Sequence, residues 1–150
     1  MSTIFLDTSA LAKRYVAEVG SGWLKAQIEP TAGNISIIAE LAIVEMFSLL
    51  ARKQREGHLA LNDLLILQNN FLLHAKSEYL VVLMDSPILV QARQLVTKHS
   101  LRTLDAIQLA CAVDARTILQ EPMLFLSADT NLLRVVAIEG FPIDNPDQHP

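Results

Sequence analysis

Short apolar runs rich in strand-forming residues alternate with helical segments along the chain, and this order constrains the fold more than any other feature. Four strands are predicted at residues 3–6, 34–37, 79–84 and 123–128. Helices are predicted at residues 9–17, 23–28, 38–56, 61–77, 88–98, 103–119 and 132–138. Because such alternation is typical of strands joined by helical crossovers, it predicts an α/β fold with a central, mainly parallel sheet.

Length and composition indicate one ordinary globular domain over residues 1–150. Hydrophobic residues make up 51% of the chain, which is enough to bury a core. Charged residues make up only 19%, so we expect some apolar surface to be covered by a partner or by a second copy. The segment from about 141 to 150 is polar and rich in proline, and it is predicted to be a flexible tail.

The formal net charge of −4 removes the simplest argument for nucleic-acid binding, which is an overall basic surface. A cluster of carboxylates that holds cations would, however, make the total charge negative by itself. Cys111 is the only cysteine, which excludes an internal disulfide and fits a reducing compartment. The sequence has no secretory signal and no long uncharged apolar stretch, so we expect a cytoplasmic protein without membrane segments.

Two acidic residues stand just after predicted strands. Asp7 follows the apolar run 4–6, and Asp129 follows the run 123–128. Because the carboxyl ends of parallel strands share one edge, where open α/β sheets bind ligands, we expect the two carboxylates to meet there. The alternative is that each residue only caps the helix that follows it.

A third acid interrupts an apolar helix face. Positions 38, 41, 45 and 49 fall on one side of a helix, so Glu45 stands in a stripe made by Ile38, Leu41 and Leu49. A carboxylate in that position needs a partner or a function. The structural alternative for Glu45 is a salt bridge with Arg52 or another basic residue.

Asp105 presents the same anomaly in the segment 101–112, which is apolar on nearly every side and is expected to be largely buried. An ionised carboxylate that leaves water costs several kcal/mol unless it is paired or bound to a metal. Arg102 is the nearest basic residue and offers one alternative explanation. Stabilisation of Asp105 by the helix dipole offers another.

Convergence of the four acids on one pocket is the most economical explanation of these anomalies. Carboxylate oxygens suit hard divalent cations such as Mg²⁺ or Mn²⁺. Zinc is disfavoured because the histidines at 58, 74, 99 and 149 show no ligand spacing and there is no cysteine cluster. The residues therefore predict a carboxylate site for Mg²⁺ or Mn²⁺.

Four segments of the chain also resemble the PIN-domain family, specifically the VapC-type toxins. They are Phe5–Leu11, Val44–Arg52, Leu101–Ala110 and Phe125–Asp129, in the order in which the family has them. The resemblance implies a three-layer α/β/α sandwich. It also implies a metal site with four acids supported by two serines: Asp7, Glu45, Asp105, Asp129, Ser9 and Ser127.

The same resemblance implies a function, which is that of a metal-dependent endoribonuclease acting as the toxin of a type II toxin–antitoxin pair. The expected partners are an RNA substrate, a cognate antitoxin protein and a second copy of the chain. Basic residues that are candidates for contact with RNA phosphates are Lys13, Arg14, Arg52 and Arg102.

Three other kinds of protein place acidic residues in similar positions. A receiver domain needs an adjacent acidic pair after the first strand, and Asp7-Thr8 does not supply one. A haloacid-type phosphatase needs a second aspartate at position 9, where Ser9 stands. A catalytically silent PIN-like binding module, in which the acids organise only a fold or an interface, remains open.

Overall fold

Strands and helices alternate along the chain in the computed structural model, which describes residues 1–150. The strands β1 to β5 are Thr3–Leu6, Ile35–Ala39, Tyr79–Val82, Met123–Leu126 and Ile143–Asp144. The helices α1 to α7 are Thr8–Leu11, Ser21–Ile28, Glu40–Arg55, Leu61–Ser77, Ser86–Lys98, Thr103–Leu119 and Thr130–Ile138. None of the helices meets the length and hydropathy that a membrane-spanning segment requires.

The five strands form one sheet in the order β3-β2-β1-β4-β5, and every neighbouring pair is parallel. The chain builds β1, β2 and β3 outward in one direction and then returns to add β4 on the other side of β1. Such a reversal of strand order opens a crevice at the carboxyl ends of the two strands on either side of it. The crevice in this sheet lies between β1 and β4.

Helices cover both faces of the sheet, because successive side chains of a strand point to opposite sides. Phe5 and Phe125 stack at 5.1 Å between ring centroids and pack with α5, α6 and α7 in one hydrophobic core. Ile4 and Leu126 point to the other side and pack with α1, α2, α3 and α4 in a second core. The predicted three-layer α/β/α sandwich is confirmed.

The exposure of β3 differs from what its amino-acid composition indicates. Its continuous apolar sequence indicates a strand covered on both faces, but β3 lies at the edge of the sheet. Leu80 is 52% exposed, and Leu83, just after the strand, is 60% exposed. Apolar, β-branched composition favours a strand without fixing which neighbours that strand receives.

The carboxyl-terminal segment is the second difference. A flexible tail is predicted from about 141 to 150, whereas the structure pairs β5 with β4 and stacks His149 on Trp23 at 4.0 Å. Gly20 makes this packing possible, because a Cβ at that position would lie 2.2 Å from the carbonyl oxygen of Pro146. A two-residue strand next to prolines carries no periodicity that a sequence pattern detects.

A candidate active site at the carboxyl edge of the sheet

Asp7 follows β1 directly and begins α1. Its Oδ1 accepts hydrogen bonds from the backbone N–H of Ala10 at 3.0 Å and from Ser9 Oγ at 2.7 Å, and its Oδ2 accepts one from Ser127 Oγ at 2.6 Å. The alternative role of Asp7, that of a helix cap, is therefore present. It does not exclude a second role, because Asp7 also lines the crevice between β1 and β4.

Burial raises the pKa of the Asp7 carboxyl to about 6, against the lowering effect of hydrogen bonds from Ser127, Ala10 and Ser9. The negative charge of Asp105 raises the pKa slightly further. The residue is 5% exposed. An acid in this state gains from any positive charge brought next to it.

Asp129 lies three residues beyond β4 and begins α7. Its two carboxylate oxygens have different partners. Oδ1 accepts from the backbone N–H groups of Asn131 and Leu132, as a helix cap does. Oδ2 accepts from the Arg102 guanidinium at 3.1 Å. Capping thus accounts for only one of the two oxygens.

The loops after β1 and β4 are tied to each other by the two predicted serines. Ser9 Oγ accepts from the backbone N–H of Ala128 at 2.9 Å while it donates to Asp7. Ser127 Oγ accepts from the N–H of Asp129 at 3.0 Å while it donates to Asp7. The position of the Asp7 carboxylate is therefore fixed from both strands.

Glu45 reaches the same crevice from α3. The helix begins at Glu40, because β2 extends to residue 39, and its buried positions are Ala42, Met46 and Leu50. The predicted stripe was therefore wrong at Ile38, which belongs to β2, whereas Leu41 and Leu49 pack against the hydrophobic cores. Glu45 lies half-buried at the border of the fully buried face. Its expected partner Arg52 is exposed and forms no ion pair with it.

Two neutral side chains hold Glu45 instead. Its Oε1 accepts from Thr8 Oγ1 at 2.8 Å and from Gln108 Nε2 at 2.9 Å. Neither residue was singled out from the sequence as part of the site. Gln108 follows Asp105 by three positions on α6, and this helical spacing was the signal that could have identified it.

Asp105 projects from the first turn of α6 and pairs with Arg102, as one of the two alternatives expected. Arg102 Nε lies 3.1 Å from Asp105 Oδ2, and its second guanidinium nitrogen lies 3.1 Å from Asp129 Oδ2. The Arg102 side chain is 79% exposed. One exposed surface cation thus bridges two of the four acids, with the modest strength of exposed ion pairs.

The four predicted acids line a single cavity of about 150 Å³ that has no hydrophobic residue in its wall. The remaining lining residues are Thr8, Ser9, Arg102 and Gln108. A larger groove of about 520 Å³ shares Arg102, Asp105 and Asp129 with this cavity and continues past Arg134. Arg134 is exposed and forms no ion pair, and sequence reasoning missed it.

The donors of this cavity match a hard divalent cation in their chemistry, since every acid is a carboxylate and neither His nor Cys contributes. Their present arrangement is less suitable. No three acidic, histidine or cysteine side chains stand close enough to hold one metal ion together. Cation binding by several of these acids therefore requires side chains to move. Arg102, which pairs with two of the acids, is 79% exposed and has the most room to do so.

Two of the predicted RNA contacts are corrected by the structure. Lys13 is 4% exposed and its ammonium group pairs with Asp147 at 2.6 Å and Glu18 at 3.2 Å. Arg14 is mostly buried and pairs with Glu78 at 2.7 Å. Both cations are engaged within the fold, which leaves Arg52 and Arg102 as the exposed candidates.

Comparison with known proteins identifies relatives of this arrangement. The PIN domain family model matches residues 4–138. PAE2754 from Pyrobaculum aerophilum is similar with a TM-score of 0.65 and 16% identity, over 99% of this chain and 92% of that one. The toxin VapC20 from Mycobacterium tuberculosis, described as cleaving the sarcin–ricin loop, has a TM-score of 0.63 and 16% identity, over 93% and 96%.

A toxin–antitoxin complex from Klebsiella pneumoniae is similar with a TM-score of 0.58 and 15% identity, over 97% of this chain and 98% of that one. Likenesses at these identities concern the fold alone. A search of curated protein sequences found no match.

Proposed function

The chain belongs to the PIN domain family, and on that premise we propose that it is a divalent-cation-dependent endoribonuclease and the toxin of a type II toxin–antitoxin pair. One observation carries the proposal. Four acids from four separate segments line one small cavity: Asp7, Glu45, Asp105 and Asp129. Like charges in such a space repel each other unless a positive ion stands among them.

In the proposed site, Asp7 and Asp105 would hold the principal cation, Mg²⁺ or Mn²⁺, and Glu45 and Asp129 would contribute further carboxylates to the same cavity. When bound there, such a cation would supply charge neutralisation on the phosphate and would lower the pKa of a water molecule. Ser9 and Ser127 keep the Asp7 carboxylate in one orientation through the hydrogen bonds described above.

Arg102 has two successive roles in this proposal. Before the cation binds, its guanidinium neutralises Asp105 and Asp129. Because the side chain is 79% exposed, it can leave these acids and turn toward a phosphate of the RNA backbone. Arg134, in the adjoining groove, is positioned to contact a flanking phosphate.

The relatives support the choice of substrate and partner. VapC20 is described as cleaving the sarcin–ricin loop, and the Klebsiella relative was solved as a toxin–antitoxin complex. We infer that this chain acts on RNA in the cytoplasm and is inhibited by a cognate antitoxin. Exposed apolar residues of α4, such as Leu65 and Leu73, support a homodimer or an antitoxin contact.

The test is to sequence RNA ends after brief expression of the parent chain, of Asp7→Ala and of Asp63→Asn. Asp63 is an exposed acid on α4 outside the cavity, so its variant removes one negative charge without touching the site. New discrete 5′-phosphate ends are expected with the parent and with Asp63→Asn, and not with Asp7→Ala. Identical ends from all three strains, or none from any, would reject the nuclease and favour the silent binding module.

A further inference from the structure

Gln108 is a buried amide in a helix segment whose other buried positions are apolar. It is 2% exposed, and its neighbours Ile107, Leu109 and Ala110 all belong to the hydrophobic core. The Nε2 group donates to Glu45 Oε1 at 2.9 Å and to Thr8 Oγ1 at 3.1 Å. Every hydrogen bond of this side chain is therefore directed at the cavity wall.

Packing alone does not explain why this position carries an amide. The Oε1 atom of Gln108 is the only buried side-chain polar atom of the chain without a hydrogen-bond partner. Burial of an unsatisfied acceptor costs free energy, and a leucine at this position would avoid that cost. The compensation must come from what the Nε2 group does.

The contacts of Glu45 indicate the role of the Gln108 Nε2 group. Thr8 and Gln108 both donate to its Oε1, and Oε2 makes no hydrogen bond within the protein. Two donors on one oxygen fix the rotamer of a half-buried side chain and keep the other oxygen free of internal partners. Gln108 makes no hydrogen bond to Asp7, Asp105 or Asp129, so its influence on the acids passes through Glu45.

We propose that Gln108 is a positioning residue that aligns the Glu45 carboxylate for cation binding, an inference that rests on the proposed function. In this role the amide acts on the cation through Glu45, to which it donates a hydrogen bond. A purely structural tether between α1, α3 and α6 would use the same contacts but would affect stability alone. The two roles therefore differ in whether cation affinity depends on Gln108 through Glu45.

A double-mutant cycle measured by Mn²⁺ calorimetry separates them. Gln108→Leu should weaken Mn²⁺ binding by about 10-fold or more, the range seen when partners of metal ligands are removed. The same substitution in a Glu45→Ala background should cause little further loss. Cys111→Ala, a buried change one turn along α6, should keep the parent affinity. Gln108→Met serves if the leucine variant does not fold.

An unchanged Mn²⁺ affinity in Gln108→Leu, or an equal loss in both backgrounds, overturns the inference. If the parent chain itself binds no Mn²⁺, the proposed function fails, and crystal structures of the parent and Gln108→Leu then decide the positioning role. A Glu45 side chain displaced only in the variant supports it, and one in the same position in both overturns it.

Discussion

Two clusters of polar side chains in this molecule differ in how their charges are balanced. In the cavity, four carboxylates face one exposed guanidinium, that of Arg102. In the second cluster, between the turn after α1 and the start of β3, Arg14 pairs with Glu78 at 2.7 Å and with the Tyr79 hydroxyl at 2.7 Å. The first cluster keeps an excess of negative charge, whereas the charges of the second cluster are paired with each other.

The difference separates the proposed cation site from a network that stabilises the fold. Arg14 also approaches the rings of Tyr15 and Tyr79, each at 5.7 Å, and Tyr15 donates or accepts a hydrogen bond with His74 at 2.8 Å. Because every charge of this network has a partner within the protein, it has no demand for an external ion. Removal of one member should therefore lower stability in the second cluster and impair the proposed function in the first.

The largest effect is expected from Asp105→Asn in the cavity. The substitution keeps the shape of the side chain and removes a negative charge that the proposed cation needs. RNA cleavage by purified protein in Mg²⁺ should fall by at least about 100-fold. Asp63→Asn is the control and should retain the parent rate. Equal rates for Asp105→Asn and the parent would contradict the assignment of Asp105.

The second prediction concerns the stability of the metal-free protein, which the buried charge of Asp7 should lower at neutral and alkaline pH. The pKa of Asp7 is about 6 in the folded protein against 3.8 for a free aspartate, so the folded state holds the proton more tightly. This tighter proton binding contributes at most about 3 kcal/mol to the free energy of unfolding. The contribution is complete below about pH 4 and is lost as the pH rises through 6. Asp7→Asn, which carries no buried charge, should be more stable than the parent at pH 8.

Urea unfolding at pH 4, 6 and 8 measures this effect, because the difference between Asp7→Asn and the parent should grow with pH. A stability difference that is the same at all three values would show that burial does not raise the pKa of Asp7.

The balanced cluster should respond in stability alone. Arg14→Met removes a mostly buried guanidinium and leaves Glu78 without its partner. Loss of one member of a fully buried pair costs about 3–5 kcal/mol, and partial exposure here lowers the expected loss to about 2 kcal/mol. Thermal unfolding measures it. A matching loss of Mn²⁺ affinity in the folded variant would erase the contrast between the two clusters.

The smallest effect is expected from Arg102→Gln. Because the guanidinium neutralises Asp105 and Asp129, its removal should tighten Mn²⁺ binding by a few-fold, in proportion to the weak energies of exposed pairs. Calorimetry at low and high salt provides the measurement, since the gain should shrink as salt screens the charges. Weaker binding in Arg102→Gln would mean that Arg102 supports the cation instead of competing with it.

Local sequence preferences predicted most helices well. The segments 61–77 and 103–119 have the bounds that α4 and α6 have in the structure, because helical periodicity is a property of neighbouring residues. The edge position of β3 and the pairing of β5 were not predicted. They depend on which strands become neighbours, and no short segment contains that information.

The candidate site shows the same division. Asp7 and Asp129 were recognisable from their positions after strands, and Arg102 was recognisable as the basic residue nearest to Asp105. Gln108 was passed over because its partners, Thr8 and Glu45, lie 100 and 63 residues away in the sequence. The role of a buried amide can be inferred only when the groups that it contacts are known.

The sequence by itself determined the alternation of strands and helices, the family, and the positions of two acids at strand ends. Only the tertiary structure decided that β1 and β4 are neighbours, so that Ser127 meets Asp7 across 120 residues of chain. The physical reason is the separation along the sequence over which each kind of interaction acts. Backbone preferences and side-chain periodicity act over a few residues, whereas the strand order is set by packing of two hydrophobic cores on opposite faces of the sheet.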